Sequence, residues 1–168
     1  MASEKIIELN TSGPMRLSIY GRGRVTLSMY VKGKNFLAAA ILLRQHGGPV
    51  ANEYVALHLI CQGVEIVLKG LLLFRNYEKY KTMLRKPLGH NLKKLVKTAT
   101  TEFRVRPLSA KHMQEIEQLS NLYSNHILRY GNGYDILVNS STIPSELTLR
   151  KITAIIRLSE RHIKNEIH

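Results

Sequence analysis

The chain has 168 residues, 44% of them hydrophobic and 22% charged, which suits one globular domain with its own core and is too short for two ordinary ones. Its 25 Lys and Arg against 12 Asp and Glu leave a net charge of +13, and the lone aspartate, Asp135, argues against a multi-carboxylate site for a hard divalent cation, which needs clustered oxygen ligands. The single cysteine, Cys61, excludes an internal disulfide framework and a Cys-based zinc site, so no metal or cofactor is expected and a reducing cytoplasm is the expected home.

In chain order, Met1–Pro14 carries Glu4, Lys5 and Glu8 and lacks the apolar core of a secretory signal. Leu17, Ile19, Val25, Leu27, Met29 and Val31 alternate around Gly21-Arg22-Gly23, a period-two pattern that predicts a small β-hairpin or extended arm over residues 1–34. A helical domain is expected over residues 35–168, an all-α up-down bundle of four to five helices. The first helix is Asn35–Gln45, stopped by Gly47-Gly48-Pro49. The second runs from about Val50 to Tyr77, and its polar residues His58, Gln62, Glu65 and Lys69 follow i, i+4, i+7, i+11, one polar stripe on an apolar cylinder. That helix belongs at the centre of a bundle or at a dimer interface, and its four polar residues argue against a membrane span. A basic piece, Glu78–Arg85, and the loop Lys86–Gly89 lead to a helix over about His90–Glu102. Two more helices follow, Ser109–Tyr130 and Pro144–Ile167, with Asp135–Ile143 between them as a loop or short strand.

The charge is concentrated. Residues 69–106 hold eleven basic and two acidic side chains, while residues 35–68 hold one and two. Such a stretch attracts anions such as RNA or nucleotide phosphate, and it also serves as a solvated face. Lys86, Lys93, Lys94 and Lys97 are the candidate basic face.

Three constellations carry the candidate chemistry. Glu65 and Lys69, at i, i+4, read as a buried ion pair, with an anion-binding cleft using Lys69 or a substrate-facing acid–base pair as the alternatives. Gly89-His90-Asn91-Leu92 opens a helix, where Asn91 or His90 can cap free N–H groups or help hold an anion. Arg129-Tyr130 precedes Gly131-Asn132-Gly133, so Arg129 serves either the helix C-terminus or a phosphate. Cys61 reads as a small core residue.

Taken together, these segments resemble the HEPN family (higher eukaryotes and prokaryotes nucleotide-binding domain). Glu65-x-x-x-Lys69 is similar to the Glu-x-x-x-Lys of its second core helix, Gly89-His90-Asn91-Leu92 to its Gly-His-Asp/Asn-Leu turn, and Leu128-Arg129-Tyr130 to the end of its following helix. The resemblance implies a helical bundle, usually a homodimer, that binds nucleotides or binds or cleaves RNA, with a nucleotidyltransferase or antitoxin as partner. Lys69, His90, Asn91, Arg129 and Tyr130 would then be ligand-binding. The family's metal-independent nuclease branch uses Arg-x(4–6)-His, but five residues beyond Arg129 stands Tyr134. Arg157 and His162 are the candidate catalytic pair, although i and i+5 point about 140° apart on a helix. The expected function is therefore non-catalytic binding of nucleotide or RNA phosphate. A dimeric ribonuclease and a structural interaction module are the alternatives.

Overall fold

A computed structural model describes residues 19–46, 51–84, 87–130 and 144–167, and every regular element among them is a helix. In chain order these are α1 (Ile19–His46), α2 (Ala51–Arg75), α3 (Tyr77–Met83), α4 (Leu92–Glu102), α5 (Ala110–Ser124), α6 (Ile127–Tyr130) and α7 (Glu146–Ile167). Helix α2 is the axis of the bundle, because α1, α3, α4, α5, α6 and α7 all pack on it. Cys61, Val67, Leu68 and Leu72 on α2 are fully buried and share one core cluster with Leu95, Ile116 and Leu119. The window Glu53–Arg75 is long and apolar enough to cross a membrane, and 61% of it is buried inside the bundle, which accounts for its apolarity.

The hairpin or arm expected at the N-terminus is overturned where the chain is described. Helix α1 starts at Ile19 and runs unbroken through residue 34 to His46. The apparent alternation mixes two faces of a helix: Leu27 and Val31 are 61% and 47% exposed. The residues turned toward α2 are Thr26, Tyr30, Gly33, Leu37 and Ala40, at i, i+4, i+7, i+11 and i+14, a helical stripe that small and polar members hide from a hydrophobicity count. Gly21-Arg22-Gly23 is the first turn of this helix, not a hairpin turn. Arg22 pairs with Glu78 at 2.7 Å and lies over the Tyr77 ring, joining α1 to α3.

Helices α1 and α2 run antiparallel with their backbones in contact. A Cβ on Gly33 would fall 2.6 Å from Val67 Cγ2 and 2.9 Å from the Gly63 carbonyl oxygen; one on Gly63 would fall 2.7 Å from Leu37 Cγ. Only glycine fits this crossing.

The other boundaries are set by side-chain caps. Asn76 ends α2 before Tyr77 and caps α3 by accepting from the Lys79 N–H at 3.0 Å. The expected Ser109–Tyr130 helix is broken at Asn125–His126, where His126 takes a positive φ of 60°. Glu115 holds the start of α7. It accepts from the Ser145 N–H (2.8 Å), the Ser145 hydroxyl (2.7 Å) and the Thr148 hydroxyl (2.6 Å). These bonds, Thr148 first and Ser145 second, pull the Glu115 carboxyl down to about 2, so the clamp persists well into acid. Thr148 gives its one proton to Glu115 and so accepts from His112 Nδ1–H at 2.8 Å, which sets that histidine's tautomer.

Gly33→Ala is expected to cost about 1–2 kcal/mol, overpacking outweighing the roughly 1 kcal/mol that alanine gains in helix propensity. Gly23→Ala, with nothing within 4 Å of the new Cβ, is expected to gain up to about 1 kcal/mol. Urea unfolding of the two variants checks the opposite signs; equal midpoints would contradict the glycine crossing.

Candidate functional site

The polar stripe of α2 meets its partners along one line. Glu65 is buried, its side chain 5% exposed, and each carboxylate oxygen is occupied. Oε1 accepts from Lys69 Nζ at 2.5 Å. Oε2 accepts from the Tyr123 hydroxyl of α5 at 2.7 Å and lies 3.1 Å from His90 Nδ1, which donates to it from the turn before α4. Tyr123 OH also lies 2.8 Å from the Gln62 side-chain oxygen. A phenol has one proton, and the buried carboxylate is its stronger acceptor; rotating the Gln62 amide by 180° then lets that residue donate to the phenol oxygen. His58, one turn further along the stripe, packs its ring 5.7 Å from that of Tyr123, and the His90 ring meets the same tyrosine edge-on at 5.9 Å.

Three of the expected site residues, Glu65, Lys69 and His90, are thus brought together. The cluster is satisfied internally: Lys69 is only 13% exposed and is spent on Glu65, while His90 keeps 59% of its side chain in solvent. Asn91 is the N-cap of α4, its side chain accepting from the Lys94 N–H at 2.8 Å, and the Leu92 N–H donates to Ser120 Oγ at 3.0 Å. The chain's own oxygens therefore take donors that an anion would use at this helix start. Leu128 is buried in the core. Lys86, the side chains of Arg129 and Tyr130, and residues 131–143, with the expected loop or strand Asp135–Ile143, lie outside the described residues.

Tyr123 is the member that sequence reasoning missed, because it stood in an apolar series with Ile116 and Leu119. The usable signal was chemical. A buried tyrosine hydroxyl needs a partner, and a polar stripe on a buried helix needs one too.

Arg157 and His162 do not converge. Arg157 lines a groove between α1 and α7, whereas the His162 ring packs against Phe103 at the end of α4. Burial pushes the Cys61 thiol up, with the nearby Glu65 charge adding to it, so Cys61 is an inert core residue and not a nucleophile. Among the described residues no group of three or more His, Cys, Asp or Glu side chains converges as a metal ligand set.

Part of the basic stretch is neutralised by pairing, most of it across the fold. Arg75 and Lys79 reach Glu102, Lys81 reaches Glu78, and Lys93 of the expected basic face reaches Glu117 at 2.7 Å. Lys94 and Lys97 of that face, and Arg104, Arg106, Lys151, Arg157 and Arg161 elsewhere, have no acid partner among the described residues. Arg104 stands out for its backbone. After α4 the Arg104 N–H donates to Thr101 and the Val105 N–H to Thr100, the two bonds of a Schellman end, and Arg104 sits at φ 50° where glycine is the usual residue.

Glu65→Ala is expected to destabilise by about 3 kcal/mol or more, since it strands a mostly buried lysine. Tyr123→Phe is expected to cost about 1.5–3 kcal/mol and His90→Ala below about 1 kcal/mol, because His90 is exposed. Urea midpoints check this order, and a His90 variant as damaging as the Glu65 variant would contradict it. No family model, curated protein or solved structure matches this chain.

Proposed function

We propose that the chain is a HEPN-like helical domain that binds nucleotide or RNA phosphate without cleaving it, and that it does so away from the Glu65 cluster. The observation that carries this reading is a cleft of about 410 Å³ between residues 105–109 and α7, in which Arg106 and Lys151 stand over Val105, Pro107, Ile155 and Leu158. Neither cation has an acid partner among the described residues, so both keep their full attraction for an anion. Arg104, two residues before Arg106 in the chain, takes a left-handed conformation that costs a non-glycine residue about 1 kcal/mol. Strain of this kind is kept where a side chain is useful, which singles out Arg104 as a third cation for the anion. The separation of Arg157 from His162 and the sealed Cys61 thiol favour binding over cleavage.

A labelled single-stranded oligouridine titrated at low salt tests the proposal. Arg106→Gln and Lys151→Gln are expected to weaken binding and to flatten the log–log salt dependence by about 0.7 for each phosphate that the variant no longer neutralises. Arg104→Gly is expected to raise stability by about 1 kcal/mol while lowering RNA affinity. Unchanged affinity and salt slope in all three variants would rule this surface out.

A further inference from the structure

Helices α1 and α7 both lie on α2 but touch each other chiefly through two polar clasps. At one end Glu160 accepts from the Tyr30 hydroxyl at 3.0 Å and from Lys34 at 3.3 Å. At the other, Glu146 accepts from Arg44 and Arg150, each at 3.4 Å. Between the clasps is a groove of about 800 Å³ floored by Leu37, Ile41, Ile60, Val64, Ile152 and Ile156. Lys34 to Arg44 is ten residues of helix, so the groove is about 15 Å long, close to three helical turns. Ile41 at its edge is 56% exposed, and Leu158 on the far side is 45% exposed. Arg157 and Arg161, one turn apart on α7, line the same groove. Glu146 and Glu160, the acids of the two clasps, are bonded to other groups, and these two guanidinium groups have no acid partner among the described residues.

An apolar floor with an uncompensated cationic rim selects its occupant. A polyphosphate chain would satisfy the rim and leave the floor without a partner. A second copy of this chain would bring a net charge of +13 toward two arginines, a like-charge encounter that opposes docking. A helix with apolar residues at i, i+3, i+4 and i+7 and carboxylates on its flanks matches both parts at once. We propose that the α1–α7 groove docks an acidic amphipathic helix of a partner protein, about three turns long, with its apolar face on Leu37, Ile41 and Ile60 and its carboxylates on Arg157 and Arg161. The residues involved differ from Arg106 and Lys151, so this docking stands or falls independently of phosphate binding.

The test uses the full chain and two synthetic helical peptides with leucines at the same positions, one with glutamates elsewhere and one with lysines. Calorimetry is expected to show saturable one-to-one binding of the glutamate peptide, and binding of the lysine peptide weaker by at least about tenfold. Arg157→Glu with Arg161→Glu is expected to lower affinity for the glutamate peptide about tenfold or more, and Ile41→Asp to do the same. All three sites are exposed, and an unchanged thermal midpoint confirms that the variants fold. Equal binding of the two peptides, no binding of either, or insensitivity to the arginine variants would overturn the proposal. A sedimenting dimer that Ile41→Asp disperses would overturn it too, by assigning the groove to a second copy, as would displacement of the peptide by oligouridine.

Discussion

Glu65 is a carboxylate inside a helical bundle, and the arrangement of the surrounding helices follows from what it needs. An ionised group so deeply buried must have its lone pairs filled by donors held at fixed positions. Lys69 comes from the same helix, one turn on. His90 and Tyr123 come from elsewhere, and their bonds draw the turn before α4 and the last full turn of α5 onto α2. On the opposite side of α2 the glycines at 33 and 63 let α1 approach until backbone meets backbone. One side of the central helix is joined by polar bonds and the other by the lack of side chains.

Acid poverty then decides where the positive charge is felt. Carboxylates are few, and those described are already engaged: Glu102 holds Arg75 and Lys79, Glu78 holds Arg22 and Lys81, Glu117 holds Lys93, and Glu115 is spent on hydroxyls. Among the cations left over, Arg104 and Arg106 come from the basic stretch and Lys151, Arg157 and Arg161 from α7. They stand at the Schellman end of α4 and along α7, where two depressions with different linings open beside them. The smaller one offers cations over a short apolar wall and suits phosphate. The larger is an apolar trough with arginines at its rim and suits a helix.

Much of this was legible in the sequence, and the failures have physical causes. The polar stripe of α2 pointed to a helix buried on most sides, at the centre of a bundle or at a dimer interface, and Asn91 announced the start of α4 through its capping chemistry. Helix α1 was not legible, since its packing face is built from Thr26, Gly33 and Ala40, which carry little hydrophobic signal, while its exposed Leu27 and Val31 imitate a strand. The Glu65–Lys69 pair is local and could be read from spacing. Tyr123 and His90 reach the same carboxylate across the fold, and the Lys79–Glu102 pair, which neutralises part of the basic stretch, likewise joins residues far apart in the chain. Contacts of that range depend on how helices pack, which no window along the chain displays.

The Glu65 cluster joins α2 to α5 and to the turn before α4, and the proposed anion contact lies elsewhere. A two-dimensional amide NMR titration of the full chain with a short oligouridine separates the two roles most directly. Perturbations are expected to centre on Arg104–Ser109 and on α7 around Lys151, with Glu65, Lys69 and Gly89–Asn91 unmoved. Perturbations centred on Gly89–Asn91 and the Glu65–Lys69 turn, with Arg106 and Lys151 silent, would contradict it.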